Sequence, residues 1–148
     1  MKLFFIILTS FLFFSGCADK ITAPEEVVYS DILEINGLID SLGGDCSGVI
    51  IRTRDLGNFN LSQYEKLKFE LNNSSDADLA AFQIYYTESG NNVFLVNIEG
   101  ENITGTRSVE INSPKSNVQL NLRIMLKSSV CTGHIYHLTV KDLKIKAK

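Results

Sequence analysis

From Tyr29 to the end of the chain, apolar and polar residues alternate in short runs separated by polar or glycine-containing breaks, and no stretch holds a helical period. Period-two alternation is the pattern of a strand with one buried and one wet face. The runs begin with SDILEING, a first short strand ending at Asn36-Gly37, and SGVIIRTR, which follows Gly43-Gly44. YEKLKFEL turns Leu67, Phe69 and Leu71 one way and Lys66, Lys68 and Glu70 the other. After the polar turn cluster NNSSDAD comes LAAFQIYYT, which Ser89-Gly90-Asn91-Asn92 joins in a hairpin to NVFLVNI. TRSVEI is a short strand. NVQLNLRIML places Val118, Leu120, Leu122, Ile124 and Leu126 inward, with Gln119, Asn121 and Arg123 outward. The last strand is HIYHLTVKDLKIKAK, with a change of phase near Asp142 of the kind a β-bulge makes. About eight strands in the 119 residues from 30 to 148 predict an all-β fold, a two-sheet antiparallel β-sandwich forming one domain.

The first sixteen residues do not fit this pattern. Residues 3–14 read LFFIILTSFLFF and hold five of the nine Phe, which accounts for a mean hydropathy as high as +0.08. A helix of that length spans about 18 Å, against about 30 Å for a bilayer core, so the segment matches the apolar part of a secretory signal. Residues 1–16 are therefore expected to be a signal peptide, and residues 17–29, with ADKITAPEEVV, a tether without sustained periodicity. Without residues 1–16 the chain has 13 Lys and Arg against 17 Asp and Glu, a net charge of −4. That balance argues against a general nucleic-acid binder, which needs a basic face. Ten Gly and two Pro are too few for a collagenous or disordered chain.

Phe14-Ser15-Gly16-Cys17 resembles the lipobox of bacterial lipoproteins. The resemblance implies cleavage before Cys17, a diacylglycerol on its thiol and a further acyl group such as palmitate on the new amino terminus. Two or three chains, at about 0.8 kcal/mol per buried methylene, anchor a protein stably to a membrane. The chain is then exported and lipid-anchored in the bacterial cell envelope. Ala18, where an Asp would retain such proteins in the inner membrane, implies the outer membrane. With Cys17 acylated, Cys46 and Cys131 remain, and in an oxidising compartment they are expected to form a disulfide. Closing a loop of 85 residues would stabilise the fold by roughly 4 kcal/mol. The alternative is two separately buried thiols.

Two stretches, NFNLSQYEKLKFELNNSSDADLAAFQIYY and VKDLKIKAK, resemble the galactose-binding-like jelly rolls to which many carbohydrate-binding modules belong. The resemblance implies a jelly-roll sandwich, a non-catalytic role, a Trp or Tyr platform for a sugar ring and a structural calcium. The chain has no Trp.

Catalytic motifs are sparse. No GxSxG occurs, and His134 and His137, three apart on one strand, point to opposite faces and do not grip a metal together. Asp76 with Asp78, and Glu99 with Glu101, sit in polar turns. Asp142 at the bulge and Glu34 of the first strand would supply hard oxygen ligands for calcium if their strands are neighbours. The best binding candidate is a polar stripe. If Val49 and Ile51 are core, Arg52 and Arg54 face out; if Phe82, Ile84 and Tyr86 are core, Gln83 and Tyr85 face out. Joined by Gln119, Asn121 and Arg123 on one sheet, they make a concave face of planar donors with Tyr85 as its aromatic platform, suited to hydroxyl-rich or carboxylated ligands. The plain alternative is a sheet face kept polar for solubility. The expected function is a membrane-anchored, non-catalytic binding module for a glycan or another envelope component. The alternative is an accessory or assembly subunit of an envelope protein complex, with a hydrolase third.

Overall fold

The computed structural model describes residues 28–44, 48–101, 103–127 and 133–148. Cys17, Cys46 and Cys131, and all of the expected tether except Val28 and Tyr29, lie outside the described residues. Eight strands carry the fold: β1 (Ser30–Gly44), β2 (Val49–Asn60), β3 (Lys66–Ser75), β4 (Leu79–Glu88), β5 (Asn91–Gly100), β6 (Gly105–Asn112), β7 (Asn117–Lys127) and β8 (Tyr136–Ala147). They form two four-stranded sheets, ordered β1-β8-β3-β6 and β2-β7-β4-β5, with every pair antiparallel. Apart from the β4–β5 hairpin, the chain crosses between sheets at each step, which is the jelly-roll order.

Alternation places the core. From the first sheet, Leu67, Phe69, Leu71, Leu138, Val140, Leu143 and Ile145 face inward. Phe82, Ile84, Leu120, Leu122, Ile124 and Leu126 of the second sheet meet them, and all are almost wholly buried. The outer side of the first sheet is an ion-pair lattice. Glu70 takes Lys68 at 2.7 Å and Lys146 at 2.9 Å, Lys66 takes Glu110 at 2.7 Å, and Lys144 takes Glu34 at 2.6 Å. Ser89 and Gly90 both have positive φ, 50° and 80°, so a two-residue turn of the hairpin-favouring kind joins β4 to β5 and pairs Glu88 with Asn91.

Several boundaries differ from the expectation. β1 does not end at Asn36-Gly37. Gly37, at φ 86°, is a bulge through which the strand continues to Gly44, and its N–H donates to Asp142 Oδ1 at 2.7 Å. The opposing irregularity in β8 centres on Asp142 itself, at φ 49°, where the change of phase was expected. Asn72–Ser75 are not turn but the end of β3, and buried Asn73 donates from Nδ2 to the Ile103 carbonyl at 3.0 Å. His134 precedes β8 rather than lying in it.

The phase of β2 is reversed. Ile50, Arg52 and Arg54 stand opposite Leu126, Ile124 and Leu122, all inward residues of β7, and opposed residues share a side. Val49 and Ile51 are therefore outward, at 51% and 55% exposure. β2 edges its sheet beside the β1 edge of the other, and two arginines close that open side of the sandwich. Arg52 Nη1 donates to Asp40 Oδ1 at 2.9 Å and to the Ser41 carbonyl at 2.8 Å, and Arg54 Nη1 donates to the Ile39 carbonyl.

Candidate functional site

The outer face of the β2-β7-β4-β5 sheet is ordered by its register. One row across the four strands reads Thr53, Arg123, Gln83 and Asn97. The next reads Asp55, Asn121, Tyr85 and Phe94. The row on the other side reads Ile51, Met125, Ala81 and Glu99. Arg123 is at the centre. Its Nε donates to Gln83 Oε1 at 2.6 Å, and Gln83 Nε2 donates to Asn97 Oδ1 at 2.7 Å. Gln83 is only 8% exposed, so its amide is held by packing as well as by both bonds. The guanidinium carbon lies 5.0 Å from the Phe94 ring centroid and 5.6 Å from that of Tyr85. The two rings are 5.7 Å apart and tilted by 53°. Arg123 is thus fixed at Nε and cradled by two π faces, within reach of a cation–π attraction. Among the described residues its Nη nitrogens have no acceptor.

From Arg123 the outward side of β7 continues through Asn121 and Gln119 to Asn117, a stripe of roughly 20 Å at about 3.4 Å per residue. Gln119 Nε2 donates to Asp55 Oδ2 at 2.7 Å, while Asp55 Oδ1 accepts the Gly57 N–H at 2.7 Å. The stripe ends in an open hollow of about 310 Å³ lined by Asn58, Phe59, Asn60, Asn117, Val118 and Gln119. A second hollow, about 210 Å³, lies on the other sheet between Glu70, Leu71, Asn72, Thr106, Asp142 and Lys144.

The structure therefore brings Gln83, Tyr85, Asn121 and Arg123 onto one face, as the alternation predicts, and removes Arg52 from it. Arg52 is an inter-sheet clasp because the phase of β2 is set by Ile50 against the core. Phe94 and Asn97 were not anticipated. Counting back from the Ser89-Gly90 turn puts Phe94 opposite Tyr85, whereas Asn97 opposes Gln83 only because a bulge between Val96 and Phe94 shifts the register.

Glu34 and Asp142 lie on neighbouring strands, as the calcium reading required, but each carboxylate has protein partners. Glu34 is held below the usual carboxylate range by Lys144 and then by Asn36, and Asp142 accepts the Gly37 N–H. Among the described residues no group of three or more His, Cys, Asp or Glu is arranged to hold a metal ion. His134 and His137 converge on Asp76 instead. The His137 backbone N–H donates to Asp76 Oδ1 at 2.6 Å, and the His134 side-chain Nε2 lies 3.2 Å from Oδ2. Chiefly the His137 N–H, then His134, hold Asp76 below its ordinary range.

No family model and no curated protein matches the chain. A solved structure described as "CBM4 structure and function" is similar at 6% sequence identity and a TM-score of 0.45, covering 73% of this chain and 82% of that one.

Proposed function

We propose that the chain is a non-catalytic β-sandwich module, exported and lipid-anchored through Cys17, whose β2-β7-β4-β5 face binds a glycan. The observation that carries this reading is the patch in which Arg123, Gln83 and Asn97 form one hydrogen-bonded relay beside Tyr85 and Phe94. Preorganised planar donors next to aromatic rings suit a hydroxyl-rich ring that offers acceptors at its rim and C–H groups on its face. No histidine lies on this face among the described residues, and the Asp55 carboxylate is taken by Gln119 and Gly57. The test is retention of the full-length protein, in detergent, on a panel of immobilised polysaccharides. Tyr85→Ala with Arg123→Ala is expected to abolish retention, and unchanged retention would refute the site.

The same proposal includes an oxidising location, in which Cys46 and Cys131 bridge. Gly44 faces Tyr136 across β1–β8, and Val49 faces Lys127 across β2–β7. The two connections that carry these cysteines thus leave and enter on paired residues at one end of the sandwich. Anchoring is tested by labelling cells with radioactive palmitate. Label is expected on the wild type and absent from Cys17→Ser.

A second reading, an accessory subunit docking on another envelope protein, is favoured by Val49 and Ile51, exposed on the edge strand β2. Partner capture that survives Tyr85→Ala/Arg123→Ala and fails in Ile51→Asp would support it over glycan binding.

A further inference from the structure

Arg123 is the one cation in the three central rows of the candidate face. Those rows otherwise hold Thr53, Gln83, Asn97, Asn121, Tyr85, Phe94, Met125, Ala81 and Ile51, with Asp55 and Glu99 at diagonal corners. A guanidinium has five N–H donors in a planar fork. Gln83 consumes the Nε donor, and the rings of Tyr85 and Phe94 restrict tilting of the plane. What remains open is the Nη edge, two parallel donors spaced to meet the two oxygens of a carboxylate. A single fixed positive charge flanked by neutral amides and two acids matches a ligand with one negative charge at that point. It does not match a phosphate-rich polymer, which draws clusters of cations.

Resting on the glycan reading above, we infer that the ligand is an acidic saccharide whose ring carboxylate is taken end-on by the Nη edge of Arg123, with Gln83 as the positioning residue. The exposed edge of Phe94 and the Asn121–Gln119–Asn117 stripe then receive the neighbouring sugar units. Hydroxyl groups satisfy Asn and Gln without charge, so the one charged contact sets the class of sugar and the stripe sets the length recognised.

The experiment measures binding of the full-length protein in detergent to three acidic polysaccharides in which single uronic acid units stand among neutral sugars, with each polymer's carboxyl-methylated form as its control. Chelator is present throughout, to remove bridging calcium. The methylated form keeps every hydroxyl, loses the charge and gains one methyl group per carboxyl. At least one acid polymer is expected to bind about 10- to 100-fold more tightly than its methyl ester, the range for a hydrogen bond to a charged group. Arg123→Gln is expected to erase that preference while leaving residual binding to both forms. Arg123→Lys, which keeps the charge and loses the fork, is expected to retain part of it. The wild-type preference should also weaken as salt rises, while the residual binding of Arg123→Gln should not depend on salt, a readout that loss of packing alone would not give. Equal binding of acid and ester overturns this inference and leaves the glycan reading standing, as does retention of neutral polysaccharides alone. Failure to bind any polysaccharide overturns both. Circular dichroism and thermal melting of each variant separate loss of the contact from loss of the fold.

Discussion

Replacing Gln83 by Leu isolates the part of the candidate site that depends on preorganisation. The change roughly conserves size at a position 8% exposed and removes two bonds, Arg123 Nε to Gln83 Oε1 at 2.6 Å and Gln83 Nε2 to Asn97 Oδ1 at 2.7 Å. Asn97 is exposed and Arg123 half-buried, so water takes over both freed groups. The Gln83–Asn97 bond is neutral and contributes about 0.5–1.5 kcal/mol net, whereas the Arg123–Gln83 bond has a charged donor and contributes about 1.5–3 kcal/mol. Rehydration of the freed groups and the added apolar surface offset part of that, so folding stability should fall by about 1–3 kcal/mol. The effect on binding falls on Arg123, whose side chain is held at one end by that amide. Reordering a long side chain on binding costs about 0.5–1.5 kcal/mol, which predicts an affinity for an acidic saccharide weaker by about 2- to 12-fold. Two assays read this. Titration calorimetry should rank wild type, Gln83→Leu and Arg123→Gln in order of falling affinity. Nitrogen-15 relaxation of the Arg123 Nε–H group needs no ligand. Its order parameter should be that of a rigid group in the wild type and fall below about 0.6 in Gln83→Leu. An Nε–H equally ordered in both proteins would refute the relay as the source of Arg123's fixed position.

Acid should destabilise the fold through the outer lattice of the other sheet. Lys66 and then the adjacent Tyr29 hydroxyl hold Glu110 down from 4.5 to about 2, so its stabilising contribution is complete above about pH 4.5 and lost as pH falls towards 2. Melting temperatures at low salt should drop across that interval, and less steeply in Glu110→Gln; parallel curves would contradict the assignment. At the bulge, Asp142→Ala loses both a residue tolerant of positive φ and the acceptor of the Gly37 N–H. Urea denaturation should show a loss of about 1.5–3 kcal/mol for Ala and a smaller one for Asn, which keeps an oxygen and tolerates that φ. If Cys46 and Cys131 are bridged, reduction should cost roughly 4 kcal/mol of stability in the chain-entropy model and expose two thiols to alkylation, whereas two free cysteines would alkylate without reductant.

The strands were legible because the two packed faces force period-two alternation; β3, β4, β7 and β8 present it with little ambiguity, and the Asp142 phase change was visible in VKDLKIKAK. β2 was misread because VIIRTR offers an apolar residue in either phase at its start. The deciding fact is tertiary: Arg52 and Arg54 have acceptors on β1, at a sheet edge where long side chains reach out from the interior. The length of β1 was hidden by Gly37 and Gly43-Gly44, which read as punctuation when only the local sequence is considered. Here one is a bulge and the others end the strand. Of the site, the outward residues of β4 and β7 followed from their own alternation. Phe94 and Asn97 depended on the register of a neighbouring strand, which a bulge displaces.

The central row of the face has a consequence for how such a surface changes over time. Thr53, Arg123, Gln83 and Asn97 come from four strands, and along each strand the outward positions alternate with residues that face the core. Thr53 and Asn121 can therefore be exchanged by single codon changes with little disturbance to the interior, leaving Arg123, Gln83 and Asn97 as the shared relay. Randomising those two positions in a display library should yield folded variants with new sugar preferences at high frequency, so that the specificity of the face can drift while the scaffold stays put.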